Sequence, residues 1–85
     1  MLELTDAAAG VVKDLLATSE DQEQPRLRFG VVEGELRAAI DEERPGDITV
    51  KHQGDPLIVM DRTTTDRLFG RKLDVDEAGG SFVLK

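Results

Sequence analysis

Few side chains of this sequence are suited to catalysis. His52 is the only histidine, and imidazole is the commonest general base of proteins near neutral pH. A catalytic base needs a nucleophile and an orienting acid that converge on it. The available hydroxyls, those of Ser19, Ser81 and the threonines, lie in no nucleophile motif. We therefore expect His52 to be a solvated histidine in the turn His52-Gln53-Gly54-Asp55, and we assign no catalytic residues.

Two acidic groups have the residue types of a site for a hard cation. Asp74, Asp76 and Glu77 lie near the end of a predicted strand, where alternation places Asp74 and Asp76 on one face. Asp41-Glu42-Glu43 is the second group. Two carboxylates could share calcium or magnesium, but neither group has EF-hand spacing. We expect solvated, solubility-conferring acids and no metal ligands, although a further role of either group stays open.

Two short runs invite other interpretations. Thr63-Thr64-Thr65 could form a phosphate cradle or a modification site, but no Gly-rich loop and no lysine accompany it. The first turn of a helix explains these threonines better. Gly79-Gly80 is most simply a turn. No cofactor-binding residue is assigned to either run.

Composition narrows the classes of function further. The sequence has 85 residues, with 18 acidic against 11 basic side chains and a net charge of −7. A phosphate-binding surface needs a basic stripe, so we expect no nucleic-acid partner. No apolar stretch approaches the roughly 20 residues of a membrane helix, and the early acids Glu3 and Asp6 do not suit a secretory signal. We expect one cytoplasmic domain over residues 1–85 without a membrane partner.

The first element that must position these residues is a helix. Its apolar stripe follows helical spacing and consists of Ala8, Val11, Val12, Leu15 and Leu16. Thr5 can cap the first turn, where the helix dipole favours the acid at Asp6. Gly10 either weakens the helix interior or, alternatively, lets another element pack closely.

After Pro25 the apolar period changes from 3.6 to 2. Strands are predicted around Leu27–Val31, Leu36–Ile40, Ile48–Val50, Leu57–Met60, Leu73–Val75 and Phe82–Leu84. Glu33-Gly34 supplies the turn of a first hairpin. The unbroken apolar run Leu57–Met60 predicts the central strand, and a short helix from Asp61 through Phe69 should stop at Gly70. The sequence thus predicts an α+β domain with about six short, mostly antiparallel strands and two helices.

The order of these motifs resembles the A-type iron–sulfur carrier (HesB-like) family. The resemblance rests on Leu4-Thr5-Asp6-Ala7-Ala8, Leu27-Arg28-Phe29-Gly30-Val31, Ile40-Asp41-Glu42-Glu43 with Pro45-Gly46-Asp47, Ile58-Val59-Met60-Asp61, Leu68-Phe69-Gly70 with Leu73-Asp74-Val75, and Gly80-Ser81-Phe82-Val83-Leu84. Each motif alone is weak, but their order and spacing span nearly the entire chain. The resemblance implies the small, sheet-dominated HesB-like fold.

The departures from that family concern its cluster ligands. The family carries one cysteine after a Gly-Gly pair following the first long strand, and two more in a C-terminal Cys-Gly-Cys tail. Here the stretch between Val31 and Ile40 is shorter, the sequence ends at Lys85, and no cysteine is present. Because clusters are held by soft thiolates, we map no family functional residue onto this sequence and expect no cofactor.

Two functional hypotheses remain. The first is a non-enzymatic protein-interaction module that binds no cluster, with a protein partner or a homo-oligomer formed through sheet edges. The alternative is an accessory factor in iron–sulfur cluster biogenesis or divalent metal handling, which rests on family analogy alone. An enzyme is not expected, because no converging set of acid, base and nucleophile is visible.

Overall fold

The computed structural model describes residues 2–19, 22–76 and 81–85. Two helices are present, α1 (Asp6–Ala17) and α2 (Arg62–Arg67). The strands are β1 (Glu3–Leu4), β2 (Arg26–Val32), β3 (Glu35–Asp41), β4 (Ile48–His52), β5 (Asp55–Met60), β6 (Lys72–Val75) and β7 (Phe82–Leu84). The predicted α+β class is confirmed, and every predicted strand is found. Gly79-Gly80, predicted as a turn, lies outside the described residues.

The strands form two mixed sheets. One has the order β3-β2-β5-β4 and the other the order β1-β6-β7. The pairs β2–β5 and β1–β6 are parallel, and the remaining pairs are antiparallel. The prediction of about six strands missed β1, whose two residues are too few to show alternation. Its parallel pairing is fixed by Glu3 N–H donating to the Arg71 carbonyl and Thr5 N–H donating to the Leu73 carbonyl, both at 3.0 Å.

Helix α1 begins as its sequence predicts. The Thr5 hydroxyl accepts a hydrogen bond from the Ala8 amide at 3.1 Å, and Asp6 lies in the first turn. The buried stripe consists of Ala8, Ala9, Val12 and Leu16. Leu15 is exposed, so the predicted stripe is rotated slightly toward Ala9. The alternative of a close approach at Gly10 is wrong, because no atom of another element lies within 4 Å of a Cβ placed there.

The core lies where α1 covers the two sheets. All four residues of Leu57–Met60 are buried, which confirms the prediction that this strand is central. Phe29 of β2 meets Phe82 of β7 edge to face, with ring centroids 6.3 Å apart. This contact joins the inner faces of the two sheets. Of the described helices, neither is both long and apolar enough to cross a membrane.

Helix α2 is shorter than the sequence suggests. Asp61 caps it by accepting from the Thr64 amide at 2.7 Å, and the helix ends at Arg67 with Leu68 as its C-cap. Phe69 therefore lies beyond the helix, at the C′ position. Gly70 follows at C″, whereas the sequence predicted it at C′. The Arg71 amide bonds the Leu68 carbonyl at 3.0 Å, which closes a turn with Gly70 at φ 77°.

Candidate functional site

The connection between β2 and β3 lies in the stretch where the sequence resemblance implies that a first cysteine loop is missing. Val32 pairs directly with Glu35, so only Glu33 and Gly34 connect the strands. Both have positive φ, 53° and 80°, which is the backbone of a two-residue type I′ turn. A turn this tight contains no additional loop. The structure thus confirms that the strands are joined by the short hairpin that the sequence predicts.

A groove of about 420 Å³ lies beside this turn, against the first half of α2. Its polar side chains are those of Glu33, Asp61, Thr63, Thr64 and Arg67. The Asp61 carboxylate is already used as the helix cap, and the amide of Thr64 holds its pKa below the usual range. Thr64 is buried and Thr65 donates to the Asp61 carbonyl at 2.8 Å. The three threonines therefore form a helix first turn, as predicted, and the groove offers no soft ligand.

His52 lies at the end of β4 and is less exposed than the prediction of a solvated turn residue. Its side chain is only 16% exposed, and Nε2 lies 2.9 Å from Oδ1 of Asp6 on α1. A second ion pair links the same two elements, because Lys13 Nζ lies 3.1 Å from Asp55 Oδ2. These contacts join α1 to the β4–β5 hairpin. Within the described ranges, His52 has no serine or threonine hydroxyl as a hydrogen-bond partner, so the sequence-based view that it is not catalytic stands as an expectation.

The first acidic group belongs to a hydrogen-bonded network around Arg28. The guanidinium of Arg28 binds both carboxylate oxygens of Asp47, at 3.0 and 2.6 Å, and Oδ2 of Asp41 at 2.8 Å. Arg44 adds a bond from Nη2 to Asp41 at 2.8 Å and one from its amide to Asp47 at 2.7 Å. Glu43 accepts from the hydroxyl of Thr49. Asp41 and Glu43 are therefore bound within the fold, which corrects the expectation of purely solvated acids.

The electrostatics of this network favour its charged form. The side-chain bond from Arg28 holds the pKa of Asp47 below its usual range. For Asp41 the amide of Glu42 is the larger cause of a lowered pKa, followed by Arg28. The same bonds raise the pKa of Arg28. The network thus fastens the loop after β3 to β2 and leaves little carboxylate capacity for a cation.

The second acidic group is likewise engaged. Asp74 accepts from Lys85 Nζ at 2.6 Å, from the Val75 amide at 2.8 Å and from the Thr5 hydroxyl at 2.9 Å. These bonds, that of Lys85 first, lower the pKa of Asp74 to about 2. Glu77 lies outside the described residues. In the described ranges, no three His, Asp or Glu side chains are grouped to hold a metal ion.

Strand β3 forms an open edge of the four-stranded sheet. It pairs with β2 on one side, and it is the outer strand of the described sheet on the other. Ile40 and Ala38 share the inward face with Leu27 and Phe29, their partners on β2. Nevertheless Ile40 is 38% exposed and Ala38 is also exposed. An apolar strand edge of this kind can pair with another chain.

Comparison with known proteins finds similarity at the level of structure. No family model matches the chain, and no curated protein sequence matches it. The crystal structure of Escherichia coli SufA, involved in biosynthesis of iron–sulfur clusters, superposes with a TM-score of 0.70 and 25% identity, covering 99% of this chain and 81% of that one. A solution structure of an Aquifex aeolicus protein gives 0.68 and 29%, covering 99% and 89%. IscA with its 2Fe–2S cluster gives 0.68 and 26%, covering 100% and 84%.

The donor set of this chain does not fit an iron–sulfur cluster. Cluster irons are bound by cysteine thiolates, and none of the 85 residues is cysteine. The hairpin turn at Glu33 and Gly34 supplies a carboxylate but no thiol. These 85 residues are therefore a divergent, cysteine-free example of the A-type iron–sulfur carrier (HesB-like) fold.

Proposed function

We propose that this chain is a non-catalytic HesB-like domain that binds no iron–sulfur cluster and acts as a protein-interaction module. The observation that carries the proposal is the combination of a retained fold with a missing ligand set. Almost the whole chain superposes on SufA and IscA, yet it has no cysteine. A scaffold kept without its metal ligands still presents strand edges and surfaces to other proteins.

The other polar groups support the same view. Thiolates are soft ligands, and carboxylates are poor substitutes for them at a cluster iron. The carboxylates best placed to act, those of Asp41, Asp47 and Asp74, are bound by Arg28, Arg44 and Lys85. His52 is engaged with Asp6. We therefore propose no catalytic, cofactor-binding or metal-binding residues, and a role that depends on surface contacts.

The proposed partner is a protein. Strand β3 offers an unpaired edge, and an added strand from another protein or from a second copy would extend the four-stranded sheet. The charge of −7 argues against nucleic acid and against anionic membranes as partners. One domain over residues 1–85 and a cytoplasmic location remain part of this proposal.

Anaerobic cluster reconstitution tests the central claim. Purified protein is incubated with ferrous iron and sulfide, desalted, and measured by visible absorbance and iron content. IscA treated in parallel is the matched control, because its structure contains a 2Fe–2S cluster. We expect IscA to retain iron and visible absorbance and this chain to retain neither. A stoichiometric cluster on this chain after desalting would overturn the proposal.

The likeness to SufA favours a second candidate, an accessory role in iron–sulfur cluster biogenesis or divalent metal handling. Its metal-handling form is tested by anaerobic calorimetric titration with ferrous iron, and the absence of saturable binding in the micromolar range removes it. Its biogenesis form is tested by mixing this chain with SufA or IscA and measuring complex mass by light scattering. A stable hetero-complex supports this role, whereas two unchanged monodisperse species argue against it.

A further inference from the structure

The basic residues of the chain are unevenly distributed. The segment 62–73, which contains α2 and the start of β6, has four basic residues, namely Arg62, Arg67, Arg71 and Lys72. Its only acid is Asp66, so the segment carries a charge of +3. Because the whole chain carries −7, the remaining residues together carry −10. Counted along the sequence, the segment is thus basic within a strongly acidic chain.

Three of these four cations form no ion pair with an acidic side chain among the described residues. Outside the segment, Lys13, Arg28, Arg37 and Arg44 each form an ion pair with a carboxylate, whereas Arg26 and Lys51 form none in the described ranges. Among the described residues, Arg62, Arg67 and Lys72 have no Asp or Glu carboxylate within 4.0 Å. Arg71 is already engaged, because its Nε donates at 3.1 Å to the backbone oxygen of Lys85, the last of the 85 residues, where that oxygen is part of the α-carboxylate. The charge of Arg62, Arg67 and Lys72 is therefore available to an external group.

Phe69 projects from the middle of this region. It is 71% exposed, more than any other large apolar side chain among the described residues. The turn that follows α2 enforces this position, because the Arg71 amide bonds the Leu68 carbonyl and Gly70 takes a positive φ of 77°. Leu68 and Leu73 on either side are buried in the core. Phe69 is thus held out to solvent by a turn anchored at both ends.

We propose that this surface, defined by Arg67, Phe69 and Lys72 and named the Phe69 surface, binds a short acidic segment of a partner protein. The proposal rests on the proposed function as an interaction module and specifies the chemistry of the partner. Aromatic and arginine side chains are enriched where interfaces derive most of their binding energy. The partner segment supplies carboxylates to the cations and an apolar side chain to Phe69.

The charge distribution favours a short segment over larger anionic partners. A nucleic-acid duplex or an anionic bilayer would extend beyond the Phe69 surface and meet the −10 carried by the rest of the molecule. A second copy of the chain brings its own net charge of −7. A short acidic segment avoids this repulsion, because charges more than about 8 Å away are largely screened at physiological salt. Its contacts stay within the Phe69 surface.

The test is an NMR titration of 15N-labelled protein with a short synthetic peptide of alternating Glu and Leu residues. The same peptide with Lys in place of Glu is the control ligand. We expect binding with a Kd on the order of 0.1 mM, shift changes concentrated in residues 67–73, and weaker binding at raised ionic strength. No binding of the Glu–Leu peptide at millimolar concentration, or equal binding of the Lys–Leu peptide, overturns the proposal.

Matched variants identify the residues responsible. Phe69→Ala should weaken peptide binding about tenfold and Lys72→Gln several-fold. Leu15→Ala and Arg37→Gln change an exposed apolar side chain and an exposed cation on other elements, and should leave the affinity unchanged. Unchanged spectra outside the turn verify that each variant is folded. Undiminished binding by Phe69→Ala contradicts the proposal.

Binding of a partner other than an acidic peptide at the Phe69 surface would give a different experimental result. Tighter binding of duplex DNA or of phosphatidylserine vesicles than of the peptide, lost in Phe69→Ala, overturns the assignment to a protein segment. Concentration-dependent self-association that Phe69→Ala abolishes assigns the surface to a second copy and also overturns it. Shift changes centred on β3 leave the interaction module standing while the Phe69 surface fails. A retained cluster in the reconstitution experiment refutes the proposed function by a separate measurement.

Discussion

Arg28 and Arg37 lie on adjacent strands of one hairpin and carry the same charge, yet their surroundings differ. Arg28 is 20% exposed, and its partner Asp47 is 7% exposed. Arg37 and its partner Glu35 are 66% and 69% exposed. Solvent screens the second pair, so it contributes little to stability. The first pair is sheltered and fixes the loop after β3 through several charged hydrogen bonds.

This contrast predicts unequal effects of the same substitution. Arg28→Gln should lower the free energy of unfolding by about 1–3 kcal/mol, because two partly covered carboxylates lose charged hydrogen bonds. Arg37→Gln, the matched control, should change it by about 0.5 kcal/mol or less. Urea unfolding followed by far-UV circular dichroism measures both values. Equal effects of the two substitutions would show that the network around Arg28 is no more stabilising than a surface ion pair.

The effect of Arg28→Gln should also depend on pH. Arg28 and the neighbouring amides lower the pKa of Asp41 and Asp47 in the folded protein. A lowered folded pKa stabilises the fold above the unfolded pKa of about 3.9, and this stabilisation is lost as pH falls through the folded pKa. The difference between the wild type and Arg28→Gln should therefore be constant near neutrality and should shrink below about pH 4. A difference that grows on acidification contradicts this account.

At the scale of elements, Gly10 and Gly70 allow two possible reasons for a glycine to be compared, namely the lack of space for a side chain and the need for a positive φ. A Cβ at either position would meet no atom within 4 Å, so both have space for a methyl group. Gly10 lies inside α1 with no positive φ, whereas Gly70 has a φ of 77°. The two glycines therefore differ in backbone conformation and not in the space around them.

Alanine at these two positions should act in opposite directions. Gly10→Ala should raise the free energy of unfolding by about 0.5–1 kcal/mol, since alanine restricts the unfolded chain and favours helix. Gly70→Ala should lower it by about 1–2 kcal/mol, because an L-residue is strained at positive φ. Thermal and urea unfolding of both variants give the comparison. If Gly10→Ala instead lowered the free energy of unfolding, this would support close packing of another element at Gly10, which the sequence allowed and the structure does not show.

Local patterns in the sequence predicted most elements, because local chemistry determines them. The type I′ turn at Glu33-Gly34 and the apolar run Leu57–Met60 each lie within a few residues and were found as expected. Features set by distant residues were missed. Arg28 meets Asp47 from 19 positions away, and β1 depends on pairing with β6 near the other end of the chain. The alternation of apolar and polar residues predicts neither the Arg28–Asp47 contact nor the pairing of β1 with β6.

The candidate surfaces were harder to predict than the elements. The sequence suggested sheet edges in general, but it did not show that β3 would be an edge with Ile40 exposed. Phe69 looked like the last apolar position of a helix. Its exposure follows from the early end of α2 at Arg67 and from the turn to Arg71. Three-dimensional placement, not residue type, separates a core aromatic from an exposed one.

At the scale of the whole molecule, two sheets share one core. Phe29 and Phe82 contact each other across it, and α1 packs against strands of both sheets. A shared core couples the elements around it, so the sheets should lose their structure together. Phe82 faces this core, whereas its neighbour Val83 points outward and is exposed. These adjacent residues offer a matched pair for testing cooperativity.

Native-state hydrogen exchange should show one unfolding unit. Amides of β5 and β6 should converge on a common opening free energy as urea is raised, although they lie in different sheets. Phe82→Ala should lower that free energy by about 2–4 kcal/mol in both sheets, because it removes packing from the shared core. Val83→Ala should change it by about 0.5 kcal/mol or less. If Phe82→Ala released β6 and β7 while β5 kept its protection, the two sheets would be separate folding units, and a single domain would be the wrong description.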